Sequence, residues 1–147
     1  MKRLDIAIGA LAVIGLGIAT YLTYVHYAGL HPLCLASGGC EKVQSSHWSK
    51  LAGVPVATIG LVGYAAILAL LFVPGETGLA GGALVALIGF GFSAYLTWAE
   101  LFRIHAICQW CVASACLMTG IAVLSVVRLL AAEDRGAYPQ RAAKLPS

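Results

Sequence analysis

Two cysteines separated by two residues, Cys108 and Cys111, open a long apolar stretch of this chain. A lone C-x-x-C pattern fits a redox-active dithiol, half of a metal site or chance spacing. If the stretch is a helix, residues three apart lie on one face, close enough for a disulfide bond. The partial positive charge at a helix N-terminus also favours thiolate over thiol. The pattern therefore indicates a reactive site rather than a packing position.

A second pair, Cys34 and Cys40, lies in the longest stretch between apolar runs, residues 28–53. The glycines that directly precede Cys40 allow a tight turn between the two thiols. The fifth cysteine, Cys116, lies deeper in the last apolar run and has no obvious partner. We expect it to be a small buried side chain.

The elements that must position these cysteines are strongly apolar. Hydrophobic residues make up 61% of the chain and charged residues 10%, whereas roughly a quarter of a soluble domain is charged. Four runs without Asp, Glu, Lys or Arg are visible, at residues 6–27, 54–73, 79–99 and 106–127. About 20 helical residues at ~1.5 Å each cross a hydrocarbon core of ~30 Å. The sequence predicts an all-α membrane protein, with a bundle of four transmembrane helices in residues 1–130.

Two segments outside these runs have their own predictions. Residues 41–51 follow Cys40 and are predicted to form a short interfacial helix, with Trp48 at the membrane surface. Residues 131–147 are polar, contain two prolines and are predicted to be a disordered cytoplasmic tail.

The positions of the basic residues predict the orientation in the membrane. Of the nine Lys and Arg residues, six lie near the two termini and three in the loops after the first and third runs. An even number of spans puts both termini on one side, and the positive-inside bias assigns that side to the cytoplasm. Both cysteine pairs would then face the extracytoplasmic side, where disulfides persist in bacteria. No dense basic patch is present, so a nucleic acid is not expected as a partner.

Two cysteine pairs on one side of a membrane predict a redox relay. Thiol–disulfide exchange proceeds by thiolate attack through a mixed disulfide, so each pair supplies an attacking and a resolving thiol. The loop pair is placed to meet a protein partner in water. The helix pair is placed at the depth of a membrane quinone, a lipid-soluble acceptor of two electrons.

Three other interpretations remain open from the residues alone. Cys34 and Cys40 could form a static disulfide beside incidental thiols, and a non-catalytic four-span scaffold would need no more than that. Four cysteines could also hold zinc. Structural zinc seldom lies at an apolar helix end facing an oxidising compartment, and the histidines lack paired ligand spacing, so no metal site is expected.

The residues around the cysteines resemble the vitamin K epoxide reductase family, in particular its bacterial members. The similarity runs from Cys34 to about Gly120. After the loop pair, its motifs are VQSSHW at residues 43–48, GLVGY at 60–64, YLTW at 95–98 and then the C-x-x-C. Each motif is weak alone, but their order and spacing are specific.

The resemblance implies a four-helix bundle around a quinone, menaquinone or ubiquinone, in the bacterial cytoplasmic membrane. It implies that Cys34 and Cys40 exchange with a reduced thioredoxin-fold partner, and that Cys40 passes electrons to Cys108 through a mixed disulfide. Cys111 would be the sulfur that faces the quinone. Ser46 matches a loop serine of the family that can form a hydrogen bond within the quinone pocket.

The chain departs from the family pattern in two places. Vertebrate members bind vitamin K with an asparagine and a tyrosine, and the matching positions in the quinone pocket are Val56 and Ala115, which cannot donate those hydrogen bonds. This favours thiol oxidation coupled to quinone reduction over the alternative, reduction of a quinone or of vitamin K epoxide towards reduced vitamin K. The chain also ends at Ser147, without the thioredoxin-like domain fused to many bacterial members. A separate secreted thioredoxin-fold partner is therefore implied.

Overall fold

Four long helices and one short helix account for most of the computed structural model, which describes residues 2–34 and 39–143. The helices are α1 (Lys2–Tyr27), α2 (Gly39–Ser45), α3 (Val56–Leu71), α4 (Glu76–Ala99) and α5 (Gln109–Ala143). A 3-10 helix (His47–Ser49) and two antiparallel strands, β1 (Lys50–Leu51) and β2 (Val54–Pro55), connect α2 to α3. A π-helical segment (Glu100–Ile104) continues α4.

The long helices form a ring. Helix α1 packs against α3 and α5, and α4 packs against the same two helices from the other side. The core contains the side chains Ile8, Ala12, Ala19, Tyr64, Ile67, Ala86, Met118, Ile121 and Ala122. Helix α1 contributes Gly15 to the contact with α3, where an added Cβ would overlap the ring of Tyr64. Small residues that permit such close approach are typical of helix packing in membranes.

Within the described residues, three helical segments are long and apolar enough to cross a membrane: Lys2–Tyr27, Glu76–Ile104 and Gln109–Gly136. Helix α3 is also apolar, but its 16 residues extend only about 24 Å at ~1.5 Å per residue. The predicted helical membrane class is confirmed. The count of four spans stays a prediction.

The helix boundaries differ from the apolar runs for identifiable reasons. The second run, 54–73, begins in β2, so α3 starts only at Val56. The helix of the third run, α4, continues into the π-helical segment. His105 follows that segment directly and is in the left-handed conformation (φ 56°). Helix α5, which corresponds to the fourth run, begins at Gln109 instead of residue 106. A run of apolar residues marks where a helix can lie in lipid, but the backbone turn sets where it starts.

The two flanking segments also differ from expectation. The predicted interfacial helix 41–51 is divided, because Ser46 is extended and its hydroxyl donates to the carbonyl oxygen of Val43 at 2.7 Å. Such bonds to the local backbone compete with helix continuation. The tail predicted to be disordered is helical over residues 131–143, whose first part (AAEDR) consists mostly of good helix formers. Residues 144–147 lie outside the described residues.

Candidate functional site

The first sulfur of the C-x-x-C pair lies at the N-cap of α5. The carbonyl oxygen of Cys108 accepts a hydrogen bond from the N–H of Val112 at 3.0 Å. The thiol of Cys108 is fully buried, and the N–H groups of Trp110 and Cys111 donate to its sulfur. At a helix N-terminus these groups lack partners within the helix. Cys108 therefore directly precedes the first turn of α5, in which Cys111 lies.

The N-cap position makes Cys108 acidic. The hydrogen bond from the Cys111 thiol is the largest effect, and together with the backbone N–H groups it lowers the pKa of Cys108 to about 7. Burial and the carboxylate of Glu100 act in the opposite direction. A substantial fraction of Cys108 is therefore thiolate, the nucleophilic form, near neutral pH.

The hydrogen bond from position 111, as the main cause of the lowered pKa of Cys108, can be tested by changing the donor. Cys111→Ser keeps a hydroxyl donor, so we expect the rate at which Cys108 attacks Cys40 to reach half its maximum near pH 7, the pKa of Cys108. Cys111→Ala removes the donor, which raises the pKa and moves the midpoint about one to two pH units higher. Acid quenching and mass spectrometry of the mixed disulfide give the rates. Equal midpoints in the two variants would contradict the assignment.

The loop pair forms a disulfide whose inner end meets the C-x-x-C. Cys34 and Cys40 are disulfide-bonded with a Cα–Cα distance of 6.1 Å. Cys40 and Cys108 are both fully buried and belong to one cluster with Val43 and Ile104. Cys34 is only partly buried. The predicted meeting of Cys40 with Cys108 is thus consistent with the packing.

Close backbone approach brings the loop to this position. A Cβ at Gly39 would overlap the carbonyl oxygen of Ile107, one residue before Cys108. Glycine is therefore needed at the start of α2 for Cys40 to reach the cluster. The tight turn predicted between the two cysteines also includes residues 35–38, which lie outside the described residues.

The segment before Cys34 is held from two sides. The N–H of Leu33 donates to the hydroxyl oxygen of Tyr21 at 3.1 Å, and the indole Nε1 of Trp110 donates to the carbonyl oxygen of Leu33 at 2.8 Å. The two rings are 5.3 Å apart. Because Trp110 lies inside the C-x-x-C, its hydrogen bond connects the reactive dithiol to the segment that leads into the loop disulfide.

A cavity of about 310 Å³ opens inside the helix ring beside Cys111. Its walls come from α1, α3, α4 and α5, and apolar side chains dominate, among them Ile18, Leu22, Ile59, Phe92, Leu96 and Met118. Cys111 and Glu100 also line it. Pockets for small organic ligands have this size and an apolar lining with few polar groups. The residues present therefore fit a quinone ring.

Two hydroxyl groups add a polar point to this lining. The hydroxyl of Tyr64 donates to the carbonyl oxygen of Ser114 at 3.0 Å and lies 2.8 Å from Ser114 Oγ. Both residues line the cavity. A hydrogen-bonded hydroxyl pair in apolar surroundings can orient a ligand carbonyl.

Glu100 lies between the cavity and the dithiol. It is 4% exposed, and its Oε2 accepts the backbone N–H of Cys108 at 3.2 Å. Its carboxyl group is also hydrogen-bonded to the thiol of Cys111. It begins the π-helical segment, and such segments are frequent at functional sites.

The predicted pocket residues Val56, Ser46 and Ala115 differ in their positions relative to the cavity. Val56 lines the cavity. Ser46 and Ala115 are not part of the lining; the hydroxyl of Ser46 bonds to Val43, and the neighbour of Ala115, Ser114, faces the cavity instead. Their predicted contact with a quinone stays a prediction. Cys116 is exposed on α5, so the expectation of a buried side chain is wrong.

Sequence reasoning missed the roles of Glu100, Tyr64 and Ser114. The available signal for Glu100 was a carboxylate at the end of an apolar run, five residues before the start of the helix-free segment 105–108. Ser114 gave no signal, because a serine within an apolar helix commonly bonds its own backbone. Over the described residues, no group of three or more His, Cys, Asp or Glu side chains is arranged to hold a metal ion.

The fold and the site define a helical membrane protein with a disulfide and an adjacent dithiol at one end of its helix ring. A sequence profile of the vitamin K epoxide reductase family matches residues 6–126, and the chain belongs to that family. Membership confirms the predicted resemblance and makes the protein a membrane oxidoreductase.

Proposed function

We propose that the protein passes electrons from a reduced thioredoxin-fold partner to a membrane quinone, and so promotes disulfide formation outside the cytoplasm. The observation that carries this is the order of the four sulfurs. Cys34 is accessible, Cys40 and Cys108 share one buried cluster, and Cys111 lines the apolar cavity. This order supports a linear relay with one exchange at each sulfur.

The relay begins at the accessible sulfur. A thiolate of the partner attacks Cys34, which releases Cys40 as a thiolate, and a second partner thiol then attacks the mixed disulfide and leaves oxidised. Cys40 attacks Cys108 of an oxidised C-x-x-C and releases Cys111. Cys34 then attacks Cys40, which restores the loop disulfide and leaves Cys108 reduced. Two electrons have moved from the partner to the C-x-x-C.

In the second half of the reaction, the dithiol is oxidised. Cys108 and Cys111 form a disulfide, and their two electrons go to the quinone together with two protons. The combination of a loop disulfide with reduced Cys108 and Cys111 corresponds to the state before this step. The quinone, menaquinone or ubiquinone, is the substrate that accepts the electrons.

The orientation in the membrane is part of the proposal. Four spans, with α3 as the shortest, would put both termini in the cytoplasm and the cysteine pairs on the outer side of a bacterial cytoplasmic membrane. Both cysteine pairs lie at one end of the ring, and the ion pair of Asp5 with Arg128 lies at the other. Charged side chains at that second end fit the cytoplasmic side.

The test is quinone reduction by the purified protein in lipid nanodiscs with a reduced secreted thioredoxin-fold protein as the donor. We expect one quinol for each disulfide formed in the donor, because the relay carries two electrons. Quinol absorbance and donor mass give the two quantities. No quinol above the rate of a protein-free sample would contradict the proposed function. Faster turnover of vitamin K epoxide than of quinone would favour the reverse assignment, an epoxide reductase.

The entry point can be tested with a single variant. Cys34→Ser is expected to reduce turnover with the protein donor by about a hundredfold or more, because Cys40 is fully buried and thiol exchange needs access to the sulfur that is attacked. Cys116→Ser, at an exposed position on α5, is the matched control and should keep the wild-type rate. Unchanged turnover in Cys34→Ser would exclude Cys34 as the entry sulfur.

A further inference from the structure

Glu100 is a buried carboxylate that forms no ion pair with the described residues. It is 4% exposed, and among the ion pairs of the described residues none includes it; those pairs join His31 to Glu41 and Asp5 to Arg128. Buried charges are normally paired with an opposite charge, because desolvation otherwise costs several kcal/mol. The position is therefore unfavourable for stability alone.

The nearest basic residue along the chain is engaged elsewhere. The guanidinium group of Arg103 lies over the ring of Trp98 at 5.5 Å and over that of Trp48 at 5.8 Å. These cation–π contacts turn it to the aromatic surface of α4. In the described part of the chain, the thiol of Cys111 is hydrogen-bonded to Glu100, while Cys108 contributes its backbone N–H and its thiol feels the charge of the carboxylate.

We propose that Glu100 transfers a proton from the Cys111 thiol to the quinone that occupies the cavity. Its carboxyl group contacts both cysteines of the C-x-x-C, and Glu100 lines the cavity that the quinone would occupy. It bonds to the Cys111 thiol, it accepts the N–H of Cys108, and it forms part of the cavity wall. This inference rests on the proposed function and names a catalytic residue for its second half.

In this step the dithiol loses two electrons and one proton. The S–H bond of Cys111 breaks and its proton goes to the Glu100 carboxylate; Cys108, as thiolate, has given its proton to the aqueous side. A sulfur–sulfur bond forms between Cys108 and Cys111, and the quinone receives two electrons. One quinone oxygen takes the proton from Glu100 and the other takes one from the aqueous side. The products are one disulfide and one quinol, and Glu100 is again ionised.

A carboxylate suits this position for a physical reason. The cavity is apolar, so water is a poor proton carrier there, and a proton released by Cys111 needs an acceptor within hydrogen-bond distance. A lysine or arginine could not accept it while charged. The hydrogen bond from the Cys108 N–H fixes the carboxyl group in the position from which it can serve both thiol and cavity.

The decisive variant is Glu100→Gln, whose amide oxygen can still accept the Cys108 N–H while the side chain cannot carry a proton. We expect kcat for quinol formation to fall about a hundredfold or more, with KM for the quinone within about threefold of wild type. Exchange between Cys40 and Cys108 should be retained, since it does not involve the cavity. Glu76→Gln, at an exposed position in the first turn of α4, is the matched control and should keep the wild-type kcat.

A second measurement needs no quinone and no turnover. In quinone-free wild-type protein, oxidation of the dithiol by an added disulfide reagent should leave the Cys111 proton on Glu100. The infrared difference spectrum between the reduced and oxidised protein should then gain the C=O band of a protonated carboxyl. Glu76→Gln should show the same band, and Glu100→Gln should lack it.

The outcomes separate this inference from the proposed function. If the wild-type protein reduces no quinone, the proposed function fails. If the wild type is active and Glu100→Gln keeps its kcat within about threefold, only the role of Glu100 fails. Should Glu100→Gln not fold, the wild-type infrared spectrum decides: no carboxyl band on oxidation would overturn the proposal, and its appearance would support it.

Discussion

Cys111→Ala is expected to reduce quinol formation by at least about a thousandfold, because loss of one member of a catalytic unit removes most of the activity of the unit. Without the second thiol, Cys108 cannot form the disulfide that releases two electrons. The sulfur that lines the cavity is also lost. Quinol formation with a saturating dithiol donor in nanodiscs is the measurement.

The same variant should reveal the preceding step. Without a thiol at position 111, Cys108 can only attack Cys40 of the loop disulfide, which is the reverse of the last exchange in the relay. The resulting bond between Cys40 and Cys108 should appear as one cross-linked peptide pair in non-reducing mass spectrometry. Cys116→Ala is the control for substitution in the same helix, since this cysteine is exposed. More than a tenth of wild-type turnover in Cys111→Ala, or a cross-link to a different cysteine, would contradict the assigned order of sulfurs.

Gly15→Ala is expected to destabilise the helix ring at the contact between α1 and α3. The added Cβ would overlap the ring of Tyr64, which is 1% exposed and hydrogen-bonded to Ser114. Overpacking of a core costs about 1–3 kcal/mol, and displacement of Tyr64 adds about 1 kcal/mol for the lost hydrogen bond. Thermal unfolding in the same lipid gives the change in stability.

Helix α1 supplies its own control. Gly17→Ala adds the same methyl group two residues away, where nothing lies within 4 Å of the added Cβ. It should leave stability unchanged or raise it by about 0.4–1 kcal/mol, since alanine restricts the unfolded chain. Because Tyr64 lines the cavity, Gly15→Ala should also raise KM for the quinone. Equal stability of the two variants would show that α1 and α3 do not approach as closely as described.

Some of the site follows from local sequence. The C-x-x-C before an apolar run, the cysteine pair in the loop and the motifs at residues 43–48, 60–64 and 95–98 were sufficient to predict the family. The same sequence could not fix helix starts. Cys108 lies before α5 rather than in it, because the turn at His105 is left-handed, and no hydropathy pattern reports a backbone dihedral.

Assignments to the pocket depended on distant parts of the chain. Val56, Ser46 and Ala115 were chosen by alignment to motifs, and only Val56 lines the cavity. Ser114 rather than Ala115 faces inward because the rotation of α5 is set by its packing on α1 and α4. A shift of one residue turns a helical side chain by about 100 degrees, which is enough to change the surface it faces.

The sequence by itself determined that this is a helical membrane oxidoreductase with two cysteine pairs, because hydrophobic run length and cysteine spacing are properties of short segments. Only the tertiary structure decided that Cys40 and Cys108 share one buried cluster, that Cys111 lines the cavity and that Glu100 is buried beside it. Those relations join the loop to α5 and the end of α4 to the start of α5. They depend on how closely the helices approach, as at Gly15 and Gly39, and residues far apart in the chain fix that approach together.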